Sequence, residues 1–137
     1  MVDIDNVPED RMTMATLYFE LGGLPAMRTT AHALYDHLRE DAQFADRAAR
    51  IGKSELVGRL EAFLTFTFGG SPYYEGQSLR TDYKILLQSD QEFDRFCNLI
   101  PAALHSVRAS LAARDDAITA IEQMRNVVLD KPVAQPA

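Results

Sequence analysis

The stretch Phe63-Leu64-Thr65-Phe66-Thr67-Phe68-Gly69-Gly70-Ser71-Pro72-Tyr73-Tyr74-Glu75-Gly76-Gln77-Ser78-Leu79-Arg80-Thr81-Asp82-Tyr83-Lys84 sets an apolar helix end, a glycine break, a loop and a short second helix in succession. Upstream of it, Leu56, Leu60, Phe63, Leu64 and Thr67 recur at spacings of three and four, which puts them on one helical face, and Phe66 and Phe68 widen that stripe. The helix opens at Lys53 or Ser54 and ends at Gly69-Gly70, because glycine adopts the left-handed conformation of a helix end without a side-chain penalty. Ser71 to Gly76 reads as loop from its proline and glycine, and Ser78 caps a short helix predicted to run through Leu87. The two helices are expected to face each other across a pocket.

Working outward, Met14, Leu17, Tyr18 and Leu21 predict a short amphipathic helix over Thr13 to Leu21, stopped at Gly22-Gly23. Pro25 suits the first turn of the next helix, which runs to about Glu40 with Met27, Ala31, Leu34, Tyr35 and Leu38 inward. Asp41 to Lys53 is poor in apolar residues around Phe44 and reads as a corner with one helical turn. Ser89 or Asp90 starts a longer helix with Phe93, Phe96, Cys97, Ile100, Leu104 and Val107 inward, bent near Asn98 to Ile100 because Pro101 removes a backbone donor. The last helix is predicted from Arg114 to about Leu129, with Ile118, Ile121, Met124, Val127 and Val128 on its inner face. No segment alternates with a period of two, so the expected fold class is all-α, with roughly six elements. Residues 1–12 read as an arm, 13–130 as one domain and 131–137 as a tail.

A chain of 137 residues can build a single buried core, and 47% apolar with 25% charged residues is the composition of a globular protein. The net charge of -6 argues against nucleic-acid binding, which needs a basic surface to displace phosphate counterions. Nothing in the composition suggests a membrane. The single cysteine, Cys97, has no internal disulfide partner and fits a reducing compartment, and the acidic start lacks the basic and apolar runs of a signal peptide. The expected location is the cytoplasm.

Leu17-Tyr18 with Leu21-Gly22-Gly23, Leu34-Tyr35, Ala62-Phe63-Leu64-Thr65, Phe68-Gly69-Gly70, Tyr74-Glu75-Gly76, Leu79-Arg80-Thr81-Asp82-Tyr83 and Phe93-Asp94 occur in an order and spacing that resembles the truncated haemoglobins, from Thr16 to roughly Leu129. The resemblance implies a two-over-two helical fold around haem. It puts Tyr35 where the family's pocket tyrosine donates to bound oxygen, and Leu56 and Leu60 at distal positions that are often glutamine. Arg59 falls at the haem edge, and Arg47-Ala48 where an aromatic pair packs on the haem. Tyr83 falls on the iron-binding histidine. The implied haem site is Tyr35, Leu56, Arg59, Leu60, Phe63, Leu79, Arg80 and Tyr83, with Tyr83 as metal ligand.

A phenolate ligand favours ferric haem. Either the metal itself or a nearby cation must hold the deprotonated form, since tyrosine ordinarily titrates near ~10, and Arg80 lies three residues before Tyr83 on the same helical face. Ferric iron points to redox, peroxide or nitric-oxide chemistry on a small diatomic or apolar ligand rather than oxygen transport. Lys53, Arg59, Arg80 and Lys84 offer charges for propionates; Leu60, Phe63, Phe66 and Leu79 offer walls. His32, His37 and His105 have no metal spacing, Cys97 behaves as a small hydrophobe, and no catalytic motif is present, so an enzyme is the less favoured expectation. The second reading is a haem-free globin-fold sensor or protein-interaction domain. A flat slot between the Leu56 and Tyr83 faces separates the two readings from a slot filled by phenylalanines.

Overall fold

The computed structural model describes residues 17–74, 76 and 78–131; the expected arm, residues 13–16 of the first helix and all of the tail but Lys131 lie outside this range. The described chain is helical, with no strand. The end of α1 covers residues 17–21 and is followed by α2 (Gly23–Glu40), α3 (Ala45–Ile51), α4 (Lys53–Thr67), α5 (Leu79–Tyr83), α6 (Asp90–His105), α7 (Leu111–Glu122) and α8 (Arg125–Val128).

The centre of the molecule is α2, which packs against α3, α4 and α6. Its buried residues Met27, Thr30, Ala31, Leu34, Tyr35 and Leu38 repeat at helical spacing, as the apolar pattern requires. Gly22, at φ 115°, turns the chain from α1 into α2, and Pro25 sits in the first turn as expected. Three helices open on a serine whose hydroxyl accepts from the third residue on: Ser78 from Thr81, Ser89 from Glu92 and Ser110 from Ala113.

Four boundaries differ from the sequence reading. The corner after Asp41 holds a full helix, α3, which buries only Ala48 and so leaves little periodic signal. The short helix after Ser78 ends at Tyr83, where Leu86 and Leu87 both donate to the Tyr83 carbonyl in a tighter turn. The last helix begins earlier, at Leu111, because Ser110 caps it. It also breaks at Gln123 and Met124, so α7 buries Ala113, Ala117, Ala120 and Ile121, α8 buries Val128, and Val127 points half-exposed to solvent. Pro101 lies inside α6, which continues past it.

Charged side chains tie the periphery. Arg125 bonds Asp90, Asp94 and Glu122 and lies 4.6 Å from the centre of the Phe93 ring, joining α6, α7 and α8. Cys97 is buried on α6, and burial, reinforced by the neighbouring Glu122 charge, pushes its thiol up to about 12. Arg47 meets Glu92 at 2.8 Å, linking α3 to α6, and holds the Glu92 carboxyl below the usual carboxylate range. With the folded pKa below the unfolded one, this pair stabilises fully above the ordinary glutamate pKa of about 4.3, and its contribution is lost as the pH falls through the lower folded value. Glu92→Gln is therefore expected to flatten the fall in stability between about pH 5 and pH 3; an unchanged slope in urea titrations across that range would remove the pair from the acid response.

Candidate functional site

Two faces of α4 carry different chemistry. Leu56, Leu60, Phe63 and Leu64 form the inner face, each at most 1% exposed. Glu55, Gly58, Arg59 and Ala62, also spaced by three and four, form an outer face that walls a cleft of about 520 Å³. The opposite wall is Tyr74, Gly76 and Asp82. The loop and α5 supply that wall because Ser78 fixes where α5 starts, and the five-residue helix then turns Leu79, Asp82 and Tyr83 inward.

The α4 and α5 helices are joined by a reciprocal pair of hydrogen bonds. Tyr83 donates its hydroxyl to the Arg59 carbonyl at 3.0 Å, and Arg59 Nη1 donates to the Asp82 carbonyl at 3.0 Å. Arg59 Nη2 meets Glu55 at 2.6 Å one turn earlier. The Tyr83 ring lies 5.3 Å from that of Phe63, tilted by 52°, and Phe63 is in turn 6.2 Å from Phe96. The Tyr74 hydroxyl donates to Asp82 Oδ2 at 2.5 Å. Burial holds the Tyr83 phenol well above its ordinary pKa, reinforced by Tyr74 and the Asp82 charge and partly offset by Arg59. Burial also raises Tyr74, with Asp82 adding to the shift.

A family model described as bacterial-like globin matches residues 16–130. The chain belongs to the bacterial-like globin family. A curated relative, the Group 1 truncated hemoglobin GlbN of Synechocystis sp., is 30% identical over 76 residues, which is 56% of this globin and 61% of that protein. This globin therefore spans about three fifths of that relative's length. Among solved structures, the 2/2 hemoglobin of Synechococcus sp. PCC 7002, in the cyanomet state with covalently attached heme, superposes with a TM-score of 0.74 at 24% identity, covering 84% of this globin and 98% of that chain. The truncated hemoglobin of Tetrahymena pyriformis, in an Fe(III) form, gives 0.73 at 24%, covering 83% and 97%. The fold is the two-over-two fold of truncated haemoglobins, all-α as expected from the sequence.

Whether haem fits the α4–α5 junction is decided by the Tyr83–Arg59 hydrogen bond. A flat ligand between two helices needs about 3.5 Å of contact distance on each of its faces, whereas Tyr83 reaches the α4 backbone directly at 3.0 Å. Tyr83 itself is 1% exposed and Leu56, Leu60 and Phe63 no more than that, so these side chains are packed against other protein atoms. In this packing Tyr83 does not fit as an iron ligand: its hydroxyl is committed to a carbonyl and its surroundings oppose the phenolate. Arg80, expected to stabilise that phenolate, instead donates to the Leu87 and Val128 carbonyls at 3.2 and 3.3 Å and ties α5 to the segments beyond it. Leu79 is buried in the core. Tyr35 is buried on α2, with Lys53 Nζ 5.9 Å from its ring centre. The structure thus brings Arg59, Phe63 and Tyr83 together around one contact.

Sequence reasoning missed Asp82, Tyr74 and Gly58, which line the cleft beside that contact. Asp82 was overshadowed by its neighbour Tyr83. The glycine inside α4 was a readable signal, because a helix interior disfavours glycine. No described helix is long and apolar enough to cross a membrane, and no three His, Cys, Asp or Glu among the described residues are grouped to hold a metal ion.

Proposed function

We propose that this globin works without haem, as a sensor or protein-interaction module built on the two-over-two fold. The observation that supports this reading is the hydrogen bond from the Tyr83 hydroxyl to the Arg59 carbonyl. It joins the two helices between which the family resemblance calls for a cofactor. Iron ligation by Tyr83 would require that bond to break, the phenol to lose its proton where burial opposes the charge, and Phe63 to leave its place against the ring. Three separate costs then fall on one event. The apolar Leu56 and Leu60 point the same way, since neither can donate a hydrogen bond to an iron-bound ligand.

The test is an absorption spectrum of the protein purified from cells supplied with haem, followed by hemin titration of the wild type and Tyr83→Phe. Neither protein is expected to develop a stoichiometric Soret band. A wild-type band that disappears in Tyr83→Phe would establish tyrosinate ligation, overturn the haem-free reading and turn the question to ferric redox or nitric-oxide chemistry.

A further inference from the structure

Asp82 is a buried carboxylate with no cation of its own among the described residues. It is 7% exposed, it accepts from the neutral Tyr74 hydroxyl, and none of the described ion pairs includes it. Arg59, the guanidinium on the facing wall, is directed to Glu55 and to the backbone carbonyl of Asp82 rather than to its carboxylate. A carboxylate taken out of water is ordinarily paired with a positive charge. The described lining residues set two carboxylates, Glu55 and Asp82, against one guanidinium, Arg59.

The cleft is also shaped by two glycines that have different reasons to be there. A Cβ at Gly76 would collide with Asp82 Oδ2 and the Tyr74 ring, so glycine lets the backbone pass close beside both. Gly58 is under no such constraint: a Cβ there would meet nothing within 4 Å. Glycine is nonetheless the poorest helix former after proline, and here it stands inside α4 on the cleft wall. Packing does not require it, and its absence of a side chain leaves this part of the cleft wall open.

The geometry points to a binding site for a small organic cation, an ammonium or guanidinium group on the Asp82 carboxylate with Tyr74 and Gly58 beside it. A volume of about 520 Å³ suits a small molecule rather than a single metal ion. The assignment deepens the haem-free reading by naming what such a module senses, and rests on it for that role alone. Because Arg59 and Asp82 belong both to the cleft and to the α4–α5 bond pair, a ligand here touches the residues that hold the two helices together.

The test is an amide-resolved NMR titration with ethylguanidinium and its neutral analogue ethylurea at constant ionic strength. Ethylguanidinium is expected to give saturable shifts at Gly58, Ala62 and Gly76, with ethylurea at least about tenfold weaker. Asp82→Asn is expected to lose the preference for the cation. Gly58→Leu, whose added side chain enters open space, keeps the folded spectrum and loses the saturable shifts. The site is overturned if ethylguanidinium produces no saturation, if ethylurea equals it, or if folded Gly58→Leu binds like wild type. Hemin absorbance reads the Tyr83–Arg59 contact rather than the cleft: a Soret band would overturn the haem-free reading and leave this titration standing, and the converse holds for absent shifts.

Discussion

Tyr83→Ala is expected to lower the unfolding free energy by about 4 kcal/mol, the cost of deleting a buried aromatic ring from a packed core. Tyr83→Phe should lower it by only about 1 kcal/mol, since the ring stays and one hydrogen bond to the Arg59 carbonyl is lost. The contrast follows from where the ring sits. It packs on Phe63, which packs on Phe96, so truncation opens a void at the α5 end of a row of aromatic contacts joining α5, α4 and α6. A tyrosine lining an open cofactor slot would already face solvent, and its removal would cost no more than about 1 kcal/mol. Urea unfolding followed by circular dichroism separates the two cases. A Tyr83→Ala loss that small would mean that α4 and α5 stand apart in solution, and would undermine the haem-free reading without any haem being added.

The second large effect concerns two glycines at or within one helix, for which the same substitution has opposite signs. Gly52 sits between α3 and α4 at φ 94° and ψ 147°, a region nearly closed to other residues. Its N–H is held by the Ala48 carbonyl and its own carbonyl by the Leu56 N–H, so the backbone has no freedom to escape that conformation. Gly52→Ala should therefore cost about 2 kcal/mol of backbone strain, although the new methyl meets no atom within 4 Å. Gly58→Ala, six residues on, adds a methyl in equally open space within regular helix and should stabilise by about 0.5–1 kcal/mol. Thermal unfolding of the two variants side by side decides the matter. If both move in the same direction, conformation at Gly52 is not what orients α4.

The parts of the fold that the sequence revealed are those where burial and chain chemistry coincide. The inner faces of α2, α4 and α6 are dense in large apolar residues, so their period is plain, and the Gly22, Ser78 and Ser89 punctuation is read directly from residue type. The stretches read less well are built of small residues. The α3 helix buries a single alanine and α7 three alanines with one isoleucine, and alanine marks neither an inner nor an outer face. At the site, the family resemblance picked out Tyr83 and Arg59 but not the groups they bond in this structure. The groups they bond are the backbone carbonyls of Arg59 and Asp82, and a carbonyl acceptor has no signature in side-chain identity. That Asp82 has no ion-pair partner among the described residues was not legible either, because counterions are a property of three-dimensional surroundings.

The lone thiol of Cys97 gives the molecule a built-in clock. Thiolate, not thiol, reacts with alkylating reagents, and burial on α6 with a pKa raised to about 12 keeps the native form inert near neutral pH. No other cysteine competes for the reagent. Modification therefore waits for α6 to come away from the core, and its rate measures how often that happens. Because the Phe96 ring next in sequence touches Phe63, and Phe63 touches Tyr83, a cation that tightens the α4–α5 junction should slow this reaction at a distance, turning an equilibrium contact into something timed with an alkylating reagent and a mass spectrometer.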